Sequence, residues 1–301
     1  MSATLVLVNP AAGGGRAGRF WARLAPLAGA LAPVEVASVA DAAGSRRAVE
    51  EALARGCRRV VAVGGDGTTH LVANVLLAAG GEVTLGVVPA GTGSDLARAL
   101  AIPRDPAAAL RRALLGPPVA LDAGWGEGES GGFWFVNIAS AGVGGLVDER
   151  VNALPRRGRT AFLCATLQAL RRYRCVPVRV EADSESWYEG PLFLLAVANG
   201  TTFGKGMRIA PGARPDDGLF DVVLVGEVAG LELLRRLPQV YLGRHLAARP
   251  VRFRRARTVR LEPLAPLPPF DVDGETYASG AVTFSVRPGA LRVAGEPAPP
   301  A

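Results

Sequence analysis

The sequence predicts an α/β fold joined to a β fold. A doubly wound, N-terminal α/β domain is followed by a second, mainly antiparallel β domain. Three observations carry this. Over the first hundred residues, short apolar, β-branched runs alternate with helical periodicity, the pattern of a parallel sheet covered on both faces. Several of those runs stop at glycine-rich loops, at the strand ends where such sheets bind ligands. After about Leu121 the texture changes to short apolar strands separated by turn clusters.

In order, Thr4 to Val8 reads as a buried strand. The loop Asn9-Pro10-Ala11-Ala12-Gly13-Gly14-Gly15 follows, then a helix over Arg16 to Ala30. Gly13, Gly15 and Gly18 also satisfy the dinucleotide pattern G-x-G-x-x-G, with Glu35 near the next strand. Against that, four residues, one a proline, separate the strand from the first glycine, where a dinucleotide site turns at once. Val34 to Val39 is the second strand and Ser45 to Arg55 the second helix. Arg59 to Val63 is the third strand, ending in Gly64-Gly65-Asp66-Gly67-Thr68, with helical periodicity resuming near Thr69 in Leu71, Val72, Val75 and Leu76. Glycines let backbone approach an anion closely, and the N–H groups opening a helix favour negative charge. A carboxylate among them suits phosphate accompanied by Mg²⁺; the plain alternative is a tight Asp-Gly turn. Val83 to Val88 is the fourth strand, followed by Pro89-Ala90-Gly91-Thr92-Gly93-Ser94-Asp95 and a helix over Ser94 to Leu100, which Ser94 or Asp95 can cap.

In the second part the strands are Phe133 to Ala139, Val176 to Ala182, Leu192 to Ala198, Phe220 to Val225 and Val282 to Val286. One helix, Thr160 to Arg172, interrupts them. Its leucines 163, 167 and 170 form a stripe, and arginines crowd its ends, so it could rest on an anionic bilayer or pack on the sandwich. The tail from Gly295 to Ala301 is rich in proline and glycine and reads as frayed.

The chain has 301 residues, 49% of them hydrophobic and 20% charged, which excludes a disordered protein. Its three cysteines, Cys57, Cys164 and Cys175, are widely spaced and suggest neither a disulfide framework nor a metal site. No basic segment precedes the short apolar run at the start, and no run approaches a membrane span, so a cytoplasmic protein is expected. The net charge of +7 is almost all arginine, since Lys205 is the only lysine. The arginines are not interleaved with aromatics, which argues against a nucleic-acid partner. A single lysine at that place also excludes the G-x-x-x-x-G-K-[ST] loop and the strand lysine of protein kinases.

Together the loops at Asn9, Gly64 and Pro89 resemble the diacylglycerol kinase catalytic-domain family, whose soluble bacterial lipid kinases are relatives of sphingosine kinases. The likeness continues in Asn199-Gly200, Gly204-Lys205-Gly206-Met207, Ala210-Pro211, Asp216-Asp217-Gly218-Leu219, Gly243-Arg244-His245 and Asp273-Gly274-Glu275, so it spans nearly the whole chain. The Gly64 to Thr68 loop alone is shared with NAD kinases and phosphofructokinases.

The resemblance implies a lipid kinase dependent on ATP and Mg²⁺, with an ATP-binding domain at 1–122 and a lipid-substrate domain at 123–301, whose last segment is expected to pack back on the first. It implies ATP held by Asn9, Pro10, Ala11, Ala12, Gly13, Gly65, Asp66, Gly67, Thr68, Thr69, His70, Leu71 and Thr92. Asp66 and Asp95 would lie near the phosphates and metal. Glu275 would be the base that takes a proton from the lipid hydroxyl. A structural Mg²⁺ would use the Asp217 carboxylate and the carbonyls of Arg214 and Leu219, with Asp122 on the metal network. The active site is expected in the cleft between the domains. The implied partners are ATP, a hydroxyl-bearing lipid and a transient peripheral contact with the inner membrane surface. A homodimer is left open. Leu71, Ala40 and Arg16 depart from the family's usual Glu, Thr and Lys.

From the residues alone, Asp271, Asp273 and Glu275 alternate at a strand end and are expected to share one face, where crowding would raise one pKa. The alternative is a hairpin turn at Val272 to Glu275 with surface charges. A histidine at a helix start, as His70 is, is more often a polar surface or packing residue than a catalyst. The rival functions are an NAD kinase-like hydroxyl kinase, a dinucleotide-binding oxidoreductase and a non-catalytic nucleotide-binding regulator.

Overall fold

A computed structural model describes residues 4–91, 93–129, 131–152, 173–204, 206–228 and 238–295. The helix expected at 160–172, Thr92 and Lys205 lie outside the described residues. Two compact units form: one from Met1–Ala123, Pro215–Asp217 and Arg287–Ala301, the other from Gly124–Arg214 and Gly218–Val286.

The first unit runs β1 (Thr4–Val8), α1 (Ala12–Leu31), β2 (Glu35–Ser38), α2 (Ala42–Ala54), β3 (Arg59–Gly64), α3 (Asp66–Ala78), β4 (Thr84–Pro89), α4 (Asp95–Ala99) and α5 (Pro106–Leu115). The strands pair in parallel in the order β2-β1-β3-β4. β1, β3 and β4 are almost wholly buried, which is why they read as unbroken Val/Leu/Ala runs; β2, at the edge, is mostly exposed. Helix α1 packs with α5, and α2 with α3, so the two pairs cover opposite faces. Two helices begin on aspartate caps. Asp41 Oδ1 accepts from Gly44 N at 2.7 Å, and Asp105 Oδ2 accepts from Ala108 N at 2.8 Å.

Helix α5 is absent from the expectation, although its signals are present: Asp105 as cap, Pro106 in the first turn, and Ala109, Leu110, Ala113 and Leu114 buried at helical spacing. At the start of α1, Gly13, Gly14 and Gly15 all have left-handed backbone, so regular helix begins at Arg16, as expected.

The second unit is a β-sandwich. Its strands are β5 (Pro118–Gly128, shared with the first unit), β6 (Gly131–Phe135), β7 (Ile138–Gly142), β8 (Val176–Ala182), β9 (Glu185–Leu192), β10 (Leu194–Ala198), β11 (Phe220–Val225), β12 (Val251–Ala256), β13 (Thr258–Pro263), β14 (Phe270–Val272), β15 (Glu275–Tyr277) and β16 (Val282–Ala294), with helix α6 (Val143–Asn152) after β7. One sheet is antiparallel throughout, in the order β12-β11-β10-β7-β14-β15. Facing it, the first half of β16 pairs with β13, which pairs with β8 and then β9. Phe135, Phe220, Phe270 and Phe284 fill the space between, with Phe135 stacked on Phe220 at 5.5 Å. The second half of β16 belongs to the first unit, where Arg292 and Val293 pair in parallel with Thr84 and Leu85 of β4.

The single strand expected at Phe133 to Ala139 is two strands in different sheets. The chain breaks at Val136 and Asn137, where the N–H groups of Val136, Asn137 and Ile138 leave the ladder and go to one carboxylate, that of Asp273. Among the described residues no helix is long and apolar enough to cross a membrane.

Candidate active site

In the first unit the strand order reverses between β1 and β3. The connection after β1 goes to one face and that after β3 to the other, which opens a crevice beyond their carboxyl ends. Asn9 closes one side of it. Its N–H donates to Val63 O at 3.0 Å, its Oδ1 accepts from Ala11 N at 3.1 Å, and its Nδ2 donates to Thr68 Oγ1 at 3.3 Å. The first loop is thus fastened to both β3 and the start of α3. Pro10, Ala11, Ala12 and Gly13 continue from it. Gly13 (φ 62°) lies so close to the third loop that a Cβ there would sit 2.3 Å from Ala90 O.

Helix α3 starts with Gly65 as N-cap, which has no side chain to offer the first N–H groups, so Asp66, Gly67 and Thr68 open a helix N-terminus of the kind that binds phosphate. Gly67 is exposed; Thr68, Thr69 and His70 are buried and Leu71 half-buried. Thr69 Oγ1 donates back to Gly65 O at 3.2 Å, and the His70 ring contacts Asn74 Nδ2, a packing role within α3.

Asp66 does something the sequence did not suggest. Its Oδ2 accepts from Ser94 N at 2.7 Å and its Oδ1 from Asp95 N at 2.9 Å. It therefore caps α4 from another loop. Ser94, in the cap position with left-handed φ 56°, makes no side-chain cap bond, which corrects the expectation that Ser94 or Asp95 caps this helix. Gly93 is needed for the approach, since a Cβ there would stand 2.6 Å from Asp66 Oδ2. Asp95 is buried and paired with Arg98, whose Nη2 also donates to Gly93 O at 3.0 Å. Arg98 is the residue sequence reasoning missed here. Its signal was its place three residues after Asp95 on a short helix.

These residues fit a nucleotide phosphate: Gly13 and Gly93 admit no Cβ, helix α3 begins on a glycine cap, and the carboxylates are already fixed in place. Among the described residues no three His, Cys, Asp or Glu side chains cluster closely enough to hold a metal unaided. The dinucleotide alternative fares worse, because Glu35 is exposed and engaged by Arg55 at 2.7 Å.

Asp122, on β5, is buried. Its N–H donates to Pro215 O at 2.7 Å, and its Oδ1 accepts from Gly289 N at 2.9 Å. Asp217 lies on the turn over Pro215 to Gly218, with Arg214 directly before it, Leu219 directly after it and Gly218 at φ 71°.

In the second unit, Glu275 opens β15, exposed, on a hairpin with β14 whose pairs are Val272↔Glu275 and Asp271↔Thr276. Asp271 and Glu275 therefore lie on opposite faces of the hairpin, and Asp273 is in its turn. The three carboxylates do not share a face, and the crowding expected there does not occur. Asp273 accepts the N–H groups of Val136, Asn137 and Ile138 at 2.8, 3.0 and 2.9 Å. Asp271 accepts from Gly274 N at 2.9 Å and from the Ser140 hydroxyl at 3.3 Å. His245 is buried, with Nε2 donating to Ile209 O at 3.0 Å; burial lowers its pKa, and the bond to that carbonyl acts in the other direction.

Residues 3–125 match the family described as the diacylglycerol kinase catalytic domain, and residues 137–295 match the YegS C-terminal NAD kinase beta sandwich-like domain. A protein named diacylglycerol kinase from Mycobacterium tuberculosis H37Rv is 33% identical over 258 residues, 84% of this chain and 82% of that one. The chain belongs to the diacylglycerol kinase family. Another member of this lipid kinase group, named "Probable lipid kinase YegS-like" in Pseudomonas aeruginosa PAO1, is 36% identical over 276 residues, covering 84% of this chain and 82% of its own. The fold agrees as well. A diacylglycerol kinase structure from Bacillus anthracis superposes with a TM-score of 0.75 at 20% identity, covering 98% of this chain and 97% of that one. A second structure from the same organism gives 0.82 at 22%, covering 98% and 95%.

Proposed function

We propose that this member of the diacylglycerol kinase family transfers the γ-phosphate of ATP to a hydroxyl of a diacylglycerol-like or sphingoid lipid. The observation that carries the reading is the arrangement at the β1/β3 switch point. Three loops are fastened to one another there by Asn9 and Asp66, which holds the glycine loops against the N-terminus of α3. That is a preorganised phosphate site, and preorganisation is most of what phosphoryl transfer requires.

In this reading the loop 9–13, residues 65–71 and Thr92 bind the nucleotide. Asp66 and Asp95 orient the phosphate loops, and Arg98 offsets the charge of Asp95. Mg²⁺, arriving with the nucleotide, neutralises phosphate charge. Glu275 takes the proton from the lipid hydroxyl as that oxygen bonds to the γ-phosphorus, and the bond from phosphorus to the β,γ-bridging oxygen breaks to release ADP. The Asp217 carboxylate and the Arg214 and Leu219 carbonyls would hold a structural Mg²⁺, with Asp122 on its network. The division at 1–122 and 123–301 assigns ATP to the first part and lipid to the second. Work on a bilayer substrate calls for a peripheral contact at the cytoplasmic membrane face.

The test is transfer of labelled γ-phosphate to diacylglycerol, a sphingoid base, ceramide, an undecaprenol-like alcohol and phosphatidylglycerol in mixed micelles, with and without Mg²⁺. Mg²⁺-dependent label in diacylglycerol or the sphingoid base is expected. Label in none of the five, or in NAD offered alongside, would overturn the reading.

A further inference from the structure

We infer that Asp273 is a positioning residue whose carboxylate fixes the hairpin that presents Glu275; the inference rests on the reading of Glu275 as the base. Asp273 and Gly274 are the two residues of the turn between β14 and β15, at φ 54° and 91°. A two-residue turn with positive φ at both positions favours Asn-Gly and Asp-Gly alike. Turn formation alone would thus be served equally by an asparagine at 273, and the side chain would face solvent.

It does not. The carboxylate turns to the adjacent strand, where the chain switches from β6 to β7, and accepts three successive backbone N–H groups there. Bonds from N–H to an ionised acceptor are the strong kind, and three on one carboxylate leave it a single orientation. The switch is itself held from behind. Asn137 Nδ2 donates to Thr202 O at 2.9 Å, Asn199 Nδ2 donates to Val136 O at 3.0 Å, and Asn137 O accepts the N–H groups of Asn199 and Gly200 at 2.8 and 2.9 Å. Asp271, bonded to Gly274 N and Ser140, holds the other leg of the hairpin. Glu275 itself is exposed and rides on this frame, two residues from the clamp. A base must be held within hydrogen-bond reach of the proton it takes, and this clamp fixes the turn two residues before Glu275.

The discriminating variant is Asp273→Asn. It preserves the turn but has one acceptor oxygen. If Oδ1 keeps the Asn137 and Ile138 bonds, the new amide N–H₂ faces the Val136 N–H, donor against donor. The experiment measures transfer of labelled γ-phosphate to dioleoylglycerol in mixed micelles by the full chain, with thermal melts as the check on folding. Glu275→Gln is expected to lose kcat by about 10²- to 10⁴-fold. Asp273→Asn is expected to lose kcat by about tenfold or more, with KM for ATP within twofold. In the double variant the second change is expected to add nothing, because Asp273 acts through Glu275. Hydrogen exchange at Val136 to Ile138 should quicken in Asp273→Asn.

A near-normal rate for Glu275→Gln would remove the base reading, and this inference with it. Loss in Glu275→Gln together with a normal rate in Asp273→Asn would overturn this inference alone. So would a kcat loss from Asp273→Asn that is as large in the Glu275→Gln background as in wild type. Should Asp273→Asn fail to fold, Asp273→Gly keeps the left-handed turn without the donor clash and carries the same comparison. Failure of both to fold would assign Asp273 to the fold and overturn its positioning role.

Discussion

Asp66 and His245 show what single side chains decide. Asp66 splices the loop after β3 to the loop after β4, so Asp66→Ala leaves the N–H groups of Ser94 and Asp95 without their acceptor. Bonds to charged groups contribute about 1.5–3 kcal/mol where water cannot replace them. Because the site is only half-buried, a loss of about 1–2 kcal/mol in urea unfolding is expected, together with weaker ATP binding by calorimetry. His245 makes the fold pH-dependent. Its folded pKa lies below the ordinary imidazole value, so the folded state binds fewer protons than the unfolded chain. Its contribution is complete above about pH 6.5 and is lost as pH falls from there through the folded value. The melting temperature should fall between pH 7 and pH 5, and His245→Gln, which keeps a donor for Ile209, should flatten that part of the profile.

Among the elements, the glycine run opening α1 has a clear test. Gly13→Ala puts a Cβ against Ala90 O on left-handed backbone that already costs an L residue about 1–2 kcal/mol. The expected result is a folded protein with a lower melting temperature and ATP affinity reduced about tenfold or more, since the first and third loops can no longer meet. An unchanged ATP titration would detach this loop from the nucleotide. The strands and loops of the first unit were legible because their signals are local: an unbroken apolar run, then glycine. Helix α5 was equally local and went unread, with its cap at Asp105 and its apolar spacing both in plain sequence. The break between β6 and β7 was illegible for a different reason. Asn137 is a faint mark of it, but the group that ends β6 is the Asp273 carboxylate, next to β7 in the sheet and 135 to 137 residues away in sequence. The trans cap on α4 hid in the same way, its acceptor lying 28 residues upstream of Ser94. Arginine-rich β12 and the neighbouring β13 also escaped. Their alternation is real, but β12 sits at the edge of its sheet and shows little apolar signal.

Over the whole molecule, the last strand is the element with most at stake. β16 begins in the sandwich and ends in the parallel sheet of the first unit. There Leu291, Val293 and Ala294 are buried and Arg292 pairs with Glu82 at 2.6 Å. Truncation before Arg287 removes that strand end and exposes the edge of β4. The expected outcome is loss of ATP binding and a protein that aggregates or melts early, whereas removal of residues 296–301 alone should leave both unchanged. Calorimetry and thermal melts of the two truncations decide it.

The shared strand also sets an order of events at the ribosome. β4 is made early, but the segment that completes its edge emerges roughly 200 residues later, about 10–40 s at ordinary elongation rates. For that interval the edge of β4 that β16 later pairs with stays open. Newborn chains of this protein are therefore expected to be most open to aggregation before synthesis ends, and slow translation of the second half should lengthen that exposure.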